Sequence, residues 1–407
     1  MFVFEYDIEW SAMSVVKYFF SMYNKILYIE MEILSETEFI NIFSKPKKPQ
    51  NTFESFYNSA TVNNISLKEY LSNKSITKDD VRELYKNIVK RNEYLSRFYN
   101  LSLRIQESNI SIDIPPMKSQ HMNNNQDIVY KNMIRNIHYK DILQNTKSGM
   151  DNTKTFFDVL KDLYLEHKID YKLLTPSAIH YIKEGRIGSV FSSYYFRASI
   201  MNPYLVYSLN LSVLKGTRIF TPTLGWSSYM YGFLECNSVI EYVGTDVIPS
   251  VCEKTKQLAK ILHPEKKTTI YCKPSENLAK NESFLNKYKG YFDVVFFSPP
   301  YYTLEIYEGG KQSTEQYKTY EEWLDKYWEK TIQLCHHVLT NGGKICYVLS
   351  GYGSENTTES YDLIKDMNSI AKKYFKFKSM QPMYNKNVHV TKHKDTSEKI
   401  IILEKKI

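Results

Sequence analysis

Residues 291–301 have the sequence YFDVVFFSPPY. The apolar run before the serine predicts a strand buried on both faces, as in a parallel sheet. Because Pro299 and Pro300 cannot continue a central strand, the chain has to leave the sheet there. Neither proline donates a backbone N–H group, so carbonyl acceptors dominate this step, and the ring of Tyr301 follows at once. Rigid acceptors beside an aromatic ring suit a flat ligand that carries an amino group, such as a nucleobase.

The tetrapeptide Ser298-Pro299-Pro300-Tyr301 resembles motif IV of the S-adenosylmethionine-dependent amino-methyltransferases, which methylate the exocyclic amine of adenine or cytosine in DNA. Members of that family have Asp, Asn or Ser before the prolines and Tyr, Phe or Trp after them. The serine form is more similar to the cytosine-N4 branch than to the adenine-N6 branch. Its position directly after an apolar strand strengthens the resemblance.

The resemblance implies how these four residues act. An exocyclic amine is a poor nucleophile because its lone pair is delocalised into the ring. If the Ser298 side chain and the Pro299 carbonyl accept its two N–H bonds, the nitrogen can pyramidalise towards the methyl group of S-adenosylmethionine, and no strong base is needed first. Tyr301 would stack on the base, which has to be extruded if the substrate is a duplex. RNA bases and protein glutamine amides also stay open as substrates.

The chain from residue 191 onward alternates strands and helices. We expect strands at 217–220, 239–245, 267–272, 293–297 and 344–350, and helices at 227–236, 250–263 and 320–339. This alternation predicts an α/β fold with a doubly wound, mainly parallel sheet. Segments 374–380 and 399–404 could close the sheet as the terminal hairpin of a Rossmann-like methyltransferase fold.

The sequence also suggests a division of the chain. Residues 1–104 are expected to form a mostly helical N-terminal region, and 105–150 a linker with a connecting helix. Residues 151–407 would then be the methyltransferase domain, and the family resemblance covers about 190–405. No long insertion separates motifs I and IV, so target recognition is hypothesised to lie in the N-terminal half.

The loop after the first predicted strand, residues 221–228, resembles motif I, which holds the methionine part of the cofactor. The phage-like branch has Asp-Pro-Thr-Ala-Gly-Trp-Gly-Gly there, whereas this chain has Thr221-Pro222-Thr223-Leu224-Gly225-Trp226-Ser227-Ser228. Gly225 would let the backbone approach the ligand closely. Compared with the phage-like loop, Thr221 replaces the aspartate, and Ser227 and Ser228 replace the paired glycines. An ordinary strand–turn–helix connection is the alternative.

Three further positions are predicted to bind the cofactor. Asp246 follows the second strand and could accept both ribose hydroxyls, although a lone Asp there could equally cap a helix. Ser275 or Glu276, after the third strand, would contact the adenine ring; the alternative for Glu276 is a charge that complements a helix dipole. Residues 196–203 resemble motif X, with Arg197 and Asn202 as its candidates, or form a helix packed at the sheet edge.

The loop at 302–313 could fold over the substrate, with Gly309 and Gly310 as a hinge.

Composition sets wider bounds. The chain has 407 residues, a net charge of +8 and a pI near 8.8, which suits nucleic acid, with DNA favoured, but also an ordinary slightly basic surface. None of the five cysteines forms a CxxC pair, so neither a metal site nor a disulfide frame is expected, and a cytoplasmic or other reducing compartment is. Charges interrupt the apolar segment 10–34, which argues against a membrane anchor. The abundance of Tyr, Asn, Lys and Ile suggests an AT-rich genome, such as that of a virus.

Two functions are compatible with this sequence. The first is a site-specific DNA methyltransferase that uses S-adenosylmethionine and acts on cytosine N4 ahead of adenine N6. The second is a catalytically degenerate protein of the same fold that binds nucleic acid or a partner enzyme. Thr221, Ser227 and Ser228 favour the second function, whereas the intact Ser298-Pro299-Pro300-Tyr301 favours the first.

Overall fold

The computed structural model describes residues 31–45, 52–72, 74–106, 110–350, 361–385 and 398–406. Most of the segment 10–34 lies outside these residues. The central element is a seven-stranded sheet, whose strands are β1 (Arg218–Thr221), β2 (Glu241–Asp246), β3 (Lys267–Cys272), β4 (Phe292–Phe297), β5 (Leu339–Ser350), β6 (Phe375–Pro382) and β7 (Glu398–Lys405). Their order across the sheet is β6-β7-β5-β4-β1-β2-β3.

Strands β1 to β5 pair in parallel, and the last two strands form the expected antiparallel hairpin. The predicted α/β class and the terminal hairpin are therefore confirmed. Most predicted bounds lie within two residues of the observed ones. The exception is β5, which begins at Leu339 rather than 344, with a shift of register against β4 before Lys344. The predicted turn at 341–343 occupies that irregularity.

The helices between the strands cover both faces of the sheet. Ser228–Leu234 and Pro249–Leu262 connect β1 to β2 and β2 to β3, so they progress in one direction across the sheet. The next connections return past β1 to β4 and then reach β5. Because parallel crossovers are right-handed, these later helices lie on the opposite face. They are Ser275–Leu278, Glu282–Tyr288, Ser313–Gln316, Tyr320–Trp323 and Lys330–Val338, with a π-helical turn at Leu324–Glu329; Leu363–Tyr374 precedes β6.

The N-terminal half is mostly helical, as expected, within the residues described. Thr77 starts one of its helices with a capping box, in which Thr77 and Asp80 satisfy each other's backbone N–H groups. Its helices are Glu36–Ile42, Phe53–Ser59, Leu67–Leu71, Lys78–Val89, Arg91–Ser102, Val129–Ile137, Phe156–Lys161, Pro176–Lys183, Ile187–Tyr194 and Pro203–Leu209; π-helical turns follow at Asp141–Asn145, Asp162–Glu166 and Asn210–Leu214, and a 3-10 turn lies at Tyr171–Leu174. The small sheet of Thr61–Val62, Ile65–Ser66 and Lys168–Ile169 was not predicted.

The segment predicted as a linker packs against the sheet. Met117 and Met122 are buried, and Asn123 forms a β-bridge with Tyr384 just after β6. Buried apolar residues from both halves of the chain form one connected core. The division at residues 104 and 150 stays a prediction. No helix in the described ranges is long and apolar enough to span a membrane.

Asn136 joins three segments of the N-terminal half. It is fully buried, its Oδ1 accepts the Leu34 N–H at 2.9 Å, and its Nδ2 donates to the carbonyls of Leu34 and Leu103, each at 2.9 Å. We expect Asn136→Ala to lower the free energy of unfolding by about 3 kcal/mol, because buried backbone groups lose their partners. Chemical denaturation measures this. The matched change Asn87→Ala removes one hydrogen bond within a surface helix and should cost within about 0.5 kcal/mol; equal losses would contradict the role of Asn136.

Candidate functional site

A cavity of about 530 Å³ opens beyond the carboxyl ends of β1, β2, β3 and β4. Ligands in doubly wound sheets bind at this edge, where the strand order reverses. All of the predicted site residues except Thr221 and Asn202 line it: Pro222, Gly225, Trp226, Asp246, Ser275, Glu276, Ser298, Pro299, Pro300 and Tyr301. The structure therefore brings the motif IV residues and most of the predicted cofactor residues to one place.

The structure does not bring Thr221 or Asn202 to this cavity. The Thr221 hydroxyl is buried and lies 2.5 Å from the hydroxyl of Tyr242. Asn202 caps helix Pro203–Leu209 by accepting the Tyr204 N–H at 3.1 Å, and its amide donates to the Gln126 carbonyl at 2.6 Å. Both side chains are occupied by hydrogen bonds within the protein, and neither is placed to contact a ligand in the cavity.

The loop after β1 turns through three consecutive left-handed residues. Gly225, Trp226 and Ser227 have φ values of 52°, 58° and 70°. Non-glycine residues adopt this conformation at a cost of about 1–2 kcal/mol each, so the surroundings have to hold it. The buried Ser227 hydroxyl lies 2.7 Å from Thr255 Oγ1 and 2.9 Å from His138 Nε2. This network explains how a serine adopts a left-handed conformation that favours glycine. Burial lowers the pKa of His138 well below its usual value, so the ring is neutral.

Asp246 closes that loop onto the end of β2. One carboxylate oxygen accepts the Leu224 N–H at 3.0 Å, and the other accepts the N–H groups of Val247 at 2.8 Å and Ile248 at 3.1 Å. Burial raises the pKa of Asp246, while the three N–H donors oppose that shift. The carboxylate lines the cavity while it holds the loop.

The end of β3 adds a buried carboxyl group. Glu276 is 2% exposed and lines the cavity, and burial raises its pKa. It makes no ion pair within the part of the chain that the structure describes. Ser275 lines the cavity too, and its Oγ lies 2.8 Å from Thr331 Oγ1.

The segment Ser298–Tyr301, which resembles motif IV, is held in place by the loop after β1. The Ser298 N–H donates to the Tyr229 hydroxyl at 3.1 Å, and the Thr223 hydroxyl donates to the Ser298 carbonyl at 3.3 Å. The Ser298 hydroxyl is 3.2 Å from the Val348 carbonyl, to which it can donate, and 3.2 Å from the hydroxyl of Tyr301. Donation to Val348 leaves the oxygen lone pairs of Ser298 free to accept.

The side chain of Tyr301 connects the segment Ser298–Tyr301 to β7. Its hydroxyl lies 3.4 Å from Glu398 Oε1, and Asn385 donates to the other oxygen of Glu398 at 3.4 Å. Burial raises the pKa of both Tyr301 and Glu398. Among the described residues, no aromatic ring stacks on Tyr301.

The segment after motif IV contributes to the cavity through its far end. Lys311, Gln312 and Ser313 line it, and Gly309 and Gly310 have φ values of 92° and 70°. A Cβ atom on Gly310 would lie 1.9 Å from the Val247 carbonyl oxygen, so the loop packs tightly beside β2. The first part of the segment is anchored, because Glu305–Ile306 pairs with Lys147–Ser148.

Several residues in the wall of the cavity were not predicted from the sequence. Lys131, Arg135, Tyr229 and Glu398 all line the cavity. Lys131 and Arg135 lie one helical turn apart on Val129–Ile137, and this spacing was the only available signal. Burial, together with repulsion by neighbouring cations, lowers the pKa of Lys131 to about 7 and that of Arg135 to about 9. Within the described ranges, no cluster of three or more metal-ligating side chains occurs.

A mainly parallel sheet of this order, with its antiparallel last strands and a cavity at the carboxyl edge, defines a Rossmann-like methyltransferase fold. No family model matches the chain, and no curated protein matches its sequence.

Solved structures similar to this chain include an N-methyltransferase, TrmN and an rRNA methylase. N-methyltransferase NodS from Bradyrhizobium japonicum is 7% identical, over 50% of this chain and 94% of that one, with a TM-score of 0.33. TrmN from Thermus thermophilus is 12% identical, over 50% and 49%, with a TM-score of 0.33. An rRNA methylase from Streptococcus thermophilus is 13% identical, over 52% and 100%, with a TM-score of 0.32. At these values the likeness carries no argument about activity or substrate.

Gly225 is the position where a small change should disturb the cavity most. A Cβ atom there would lie 2.2 Å from the Tyr229 ring, whose hydroxyl receives the Ser298 N–H. We expect Gly225→Ala to lower the free energy of unfolding by about 1 kcal/mol for the positive φ and by about 1–3 kcal/mol more for the clash. The control is Gly185→Ala, with φ of 70° and nothing within 4 Å. Denaturant titration compares the two variants, and equal losses would show that the Tyr229 ring moves freely.

Proposed function

We propose that this protein is an S-adenosylmethionine-dependent methyltransferase that acts on an exocyclic amino group of a DNA base, with cytosine N4 ahead of adenine N6. One observation carries the proposal: Ser298–Tyr301 shares a cavity with Gly225, Asp246 and Glu276, each at the end of a different parallel strand. Hydrogen-bond acceptors that suit a nucleobase and residues that suit the cofactor thus lie at one switch point of the sheet.

The cavity residues fit S-adenosylmethionine. Asp246 is a carboxylate at the end of β2, where it can accept from the ribose hydroxyls. The carboxyl group of Glu276, which has no ion-pair partner among the described residues, can accept from the adenine amino group. The backbone of Gly225 and Trp226, which line the cavity, would lie beside the methionine part of the cofactor. When bound, the cofactor supplies an electrophilic methyl group on a positively charged sulfur.

The base would be held by the motif IV step. Ser298 Oγ and the Pro299 carbonyl accept the two N–H bonds of the target amine, and the ring of Tyr301 stacks on the base. Tyr229 fixes the Ser298 backbone at 3.1 Å, and Val348 orients its hydroxyl at 3.2 Å. These residues position the amine and accept its hydrogen bonds, so proton removal is not required before attack.

A degenerate protein of the same fold that binds nucleic acid or a partner enzyme is the second candidate. The observation in its favour is Thr221, which puts a buried hydroxyl where the family has a carboxylate. Ser227 weighs less for this alternative, because its network with Thr255 and His138 accommodates the left-handed turn.

Calorimetry with S-adenosylmethionine distinguishes the two candidates. We expect binding at micromolar to low millimolar cofactor, and N4-methylcytosine in nucleosides digested from DNA that was incubated with protein and cofactor. N6-methyladenine would shift the target to adenine. Absence of cofactor binding at millimolar concentration would favour the degenerate protein.

Tyr301 is expected to act through its ring. Tyr301→Ala should reduce methyl transfer about 10- to 100-fold, which corresponds to the stacking contribution of one base, and leave cofactor affinity nearly unchanged. Tyr301→Phe keeps the ring and loses the hydrogen bonds of the hydroxyl to Val348, Glu398 and Ser298, so it should retain most activity. Initial rates with tritiated cofactor measure both. A Phe variant as impaired as the Ala variant would assign the effect to the hydroxyl instead.

Asp246 is expected to bind the cofactor directly. Asp246→Asn should weaken cofactor affinity about 10- to 100-fold, because hydrogen bonds to a charged acceptor contribute about 1.5–3 kcal/mol. Asp293 is a matched control: its carboxylate also accepts backbone N–H groups, from Thr217 and Arg218, but at the opposite edge of the sheet. Asp293→Asn should lower stability without lowering affinity. Calorimetry and thermal melting separate these effects, and an unchanged affinity in Asp246→Asn would remove the ribose assignment.

A further inference from the structure

Three cations lie together in the wall of the cavity: Lys131, Arg135 and Arg197. The first two project from helix Val129–Ile137, which lies outside the stretch with the family resemblance. Arg135 and Arg197 lower the pKa of Lys131, and Arg197 lowers the pKa of Arg135. The three groups are therefore close enough to repel one another.

No carboxylate pairs with these cations in the part of the chain that is described. Lys131 donates to Asn125 Oδ1 at 3.1 Å, and Arg135 donates to the Ser102 carbonyl at 2.7 Å and to Asn132 Oδ1 at 3.1 Å. The Arg197 guanidinium lies 5.3 Å from the centre of the Phe156 ring. All of these partners are neutral. Glu398 is near enough to raise the pKa of Lys131, but one carboxyl group outside ion-pair distance does not balance three enclosed cations, so further negative charge is expected to come from a ligand.

The position of Lys131 separates it from the predicted cofactor residue Asp246. Glu398, the first residue of β7, is the carboxylate that raises the pKa of Lys131, and its other neighbours are Tyr301 and Asn385. Four inter-strand steps separate β7 from β2, where Asp246 lies. At about 4.8 Å per step, this distance is about 19 Å. Lys131 is therefore on the side of the cavity that holds the motif IV tyrosine.

We propose that Lys131, Arg135 and Arg197 bind a phosphate group of the polynucleotide substrate, beside the target base on Tyr301. This inference rests on the proposed function and adds to it a role for the helix before the methyltransferase fold. A lysine one turn before an arginine gives a point charge and a planar fork on one helix face, which suits the oxygens of a phosphate. Such a contact positions the backbone and does not read the base sequence.

The carboxylate of the cofactor is the other oxyanion that could reach these cations, and the test has to separate the two. The variants are Lys131→Gln, Arg135→Gln and their combination. The matched control is Arg82→Gln with Lys86→Gln, which removes the same charges at the same spacing from the surface helix Lys78–Val89. The probes are a short single-stranded oligodeoxynucleotide of mixed sequence, titrated at several salt concentrations, and S-adenosylhomocysteine, titrated by calorimetry.

We expect the double variant to bind the oligonucleotide at least 10-fold more weakly, whereas its affinity for S-adenosylhomocysteine stays within about 2-fold. The slope of log affinity against log salt should decrease in magnitude by about 0.7 for each phosphate contact that is lost. The surface control should change neither quantity. Because Lys131 is bonded to the neutral Asn125 amide and has no carboxylate at ion-pair distance among the described residues, Lys131→Gln should not lower the melting temperature of the ligand-free protein.

Three results would overturn the phosphate site: unchanged oligonucleotide affinity and salt slope, loss of S-adenosylhomocysteine affinity, or a lower melting temperature in Lys131→Gln. The first leaves the proposed function intact if the wild type still makes a methylated nucleoside. The second assigns the cations to the cofactor, and the third makes Lys131 structural. A wild type that binds cofactor but no nucleic acid would reject both this site and the proposed substrate.

Discussion

The hydrogen bond from the Ser298 backbone N–H to the Tyr229 hydroxyl joins the two loops on which the cavity depends. It can form because Gly225 has no Cβ: the Tyr229 ring occupies that space and meets the Phe296 ring edge-on, with centroids 5.1 Å apart. The loop after β1 and the step after β4 are thereby held in one relative position. Groups that hold a cofactor and groups that hold a base need such a fixed separation for transfer between them.

The cavity also requires the two halves of the chain to fold together. One wall comes from helix Val129–Ile137, and another from β7 at the C-terminal end. The bridge between Asn123 and Tyr384 brings these distant segments side by side, and Asn136 holds the helix to the rest of the N-terminal half. Because one continuous core underlies both halves, the N-terminal region shapes the site directly.

Most strands of the parallel sheet were predictable because they are short apolar runs bounded by turn residues, and burial on both faces imposes that pattern. The edge strand β3 differs, since only one of its six residues is buried. The residues that follow such strands were predictable for the same reason, which is why Asp246 and Ser298 were found. Thr221 and Asn202 differ, because pairing with Tyr242 and capping of a helix depend on neighbours that the local sequence does not reveal. Tyr229 and Lys131 were missed since tertiary packing alone turns them towards the cavity.

The carboxyl and basic groups of the cavity are unevenly distributed between its two sides. Carboxyl groups occur at the ends of β2 and β3, where Asp246 and Glu276 face the cavity, and two basic side chains occur on the helix near β7. Neither side has one sign only, because Lys273 follows β3 and Glu398 begins β7. A cofactor with hydroxyl and amino donors and a positive sulfur suits the first side, and a phosphate suits the second. Were both ligands to bind on one side, one of them would face like charge in an environment that screens poorly. This distribution agrees with the base, between the two sides on Tyr301, as the point where the ligands meet.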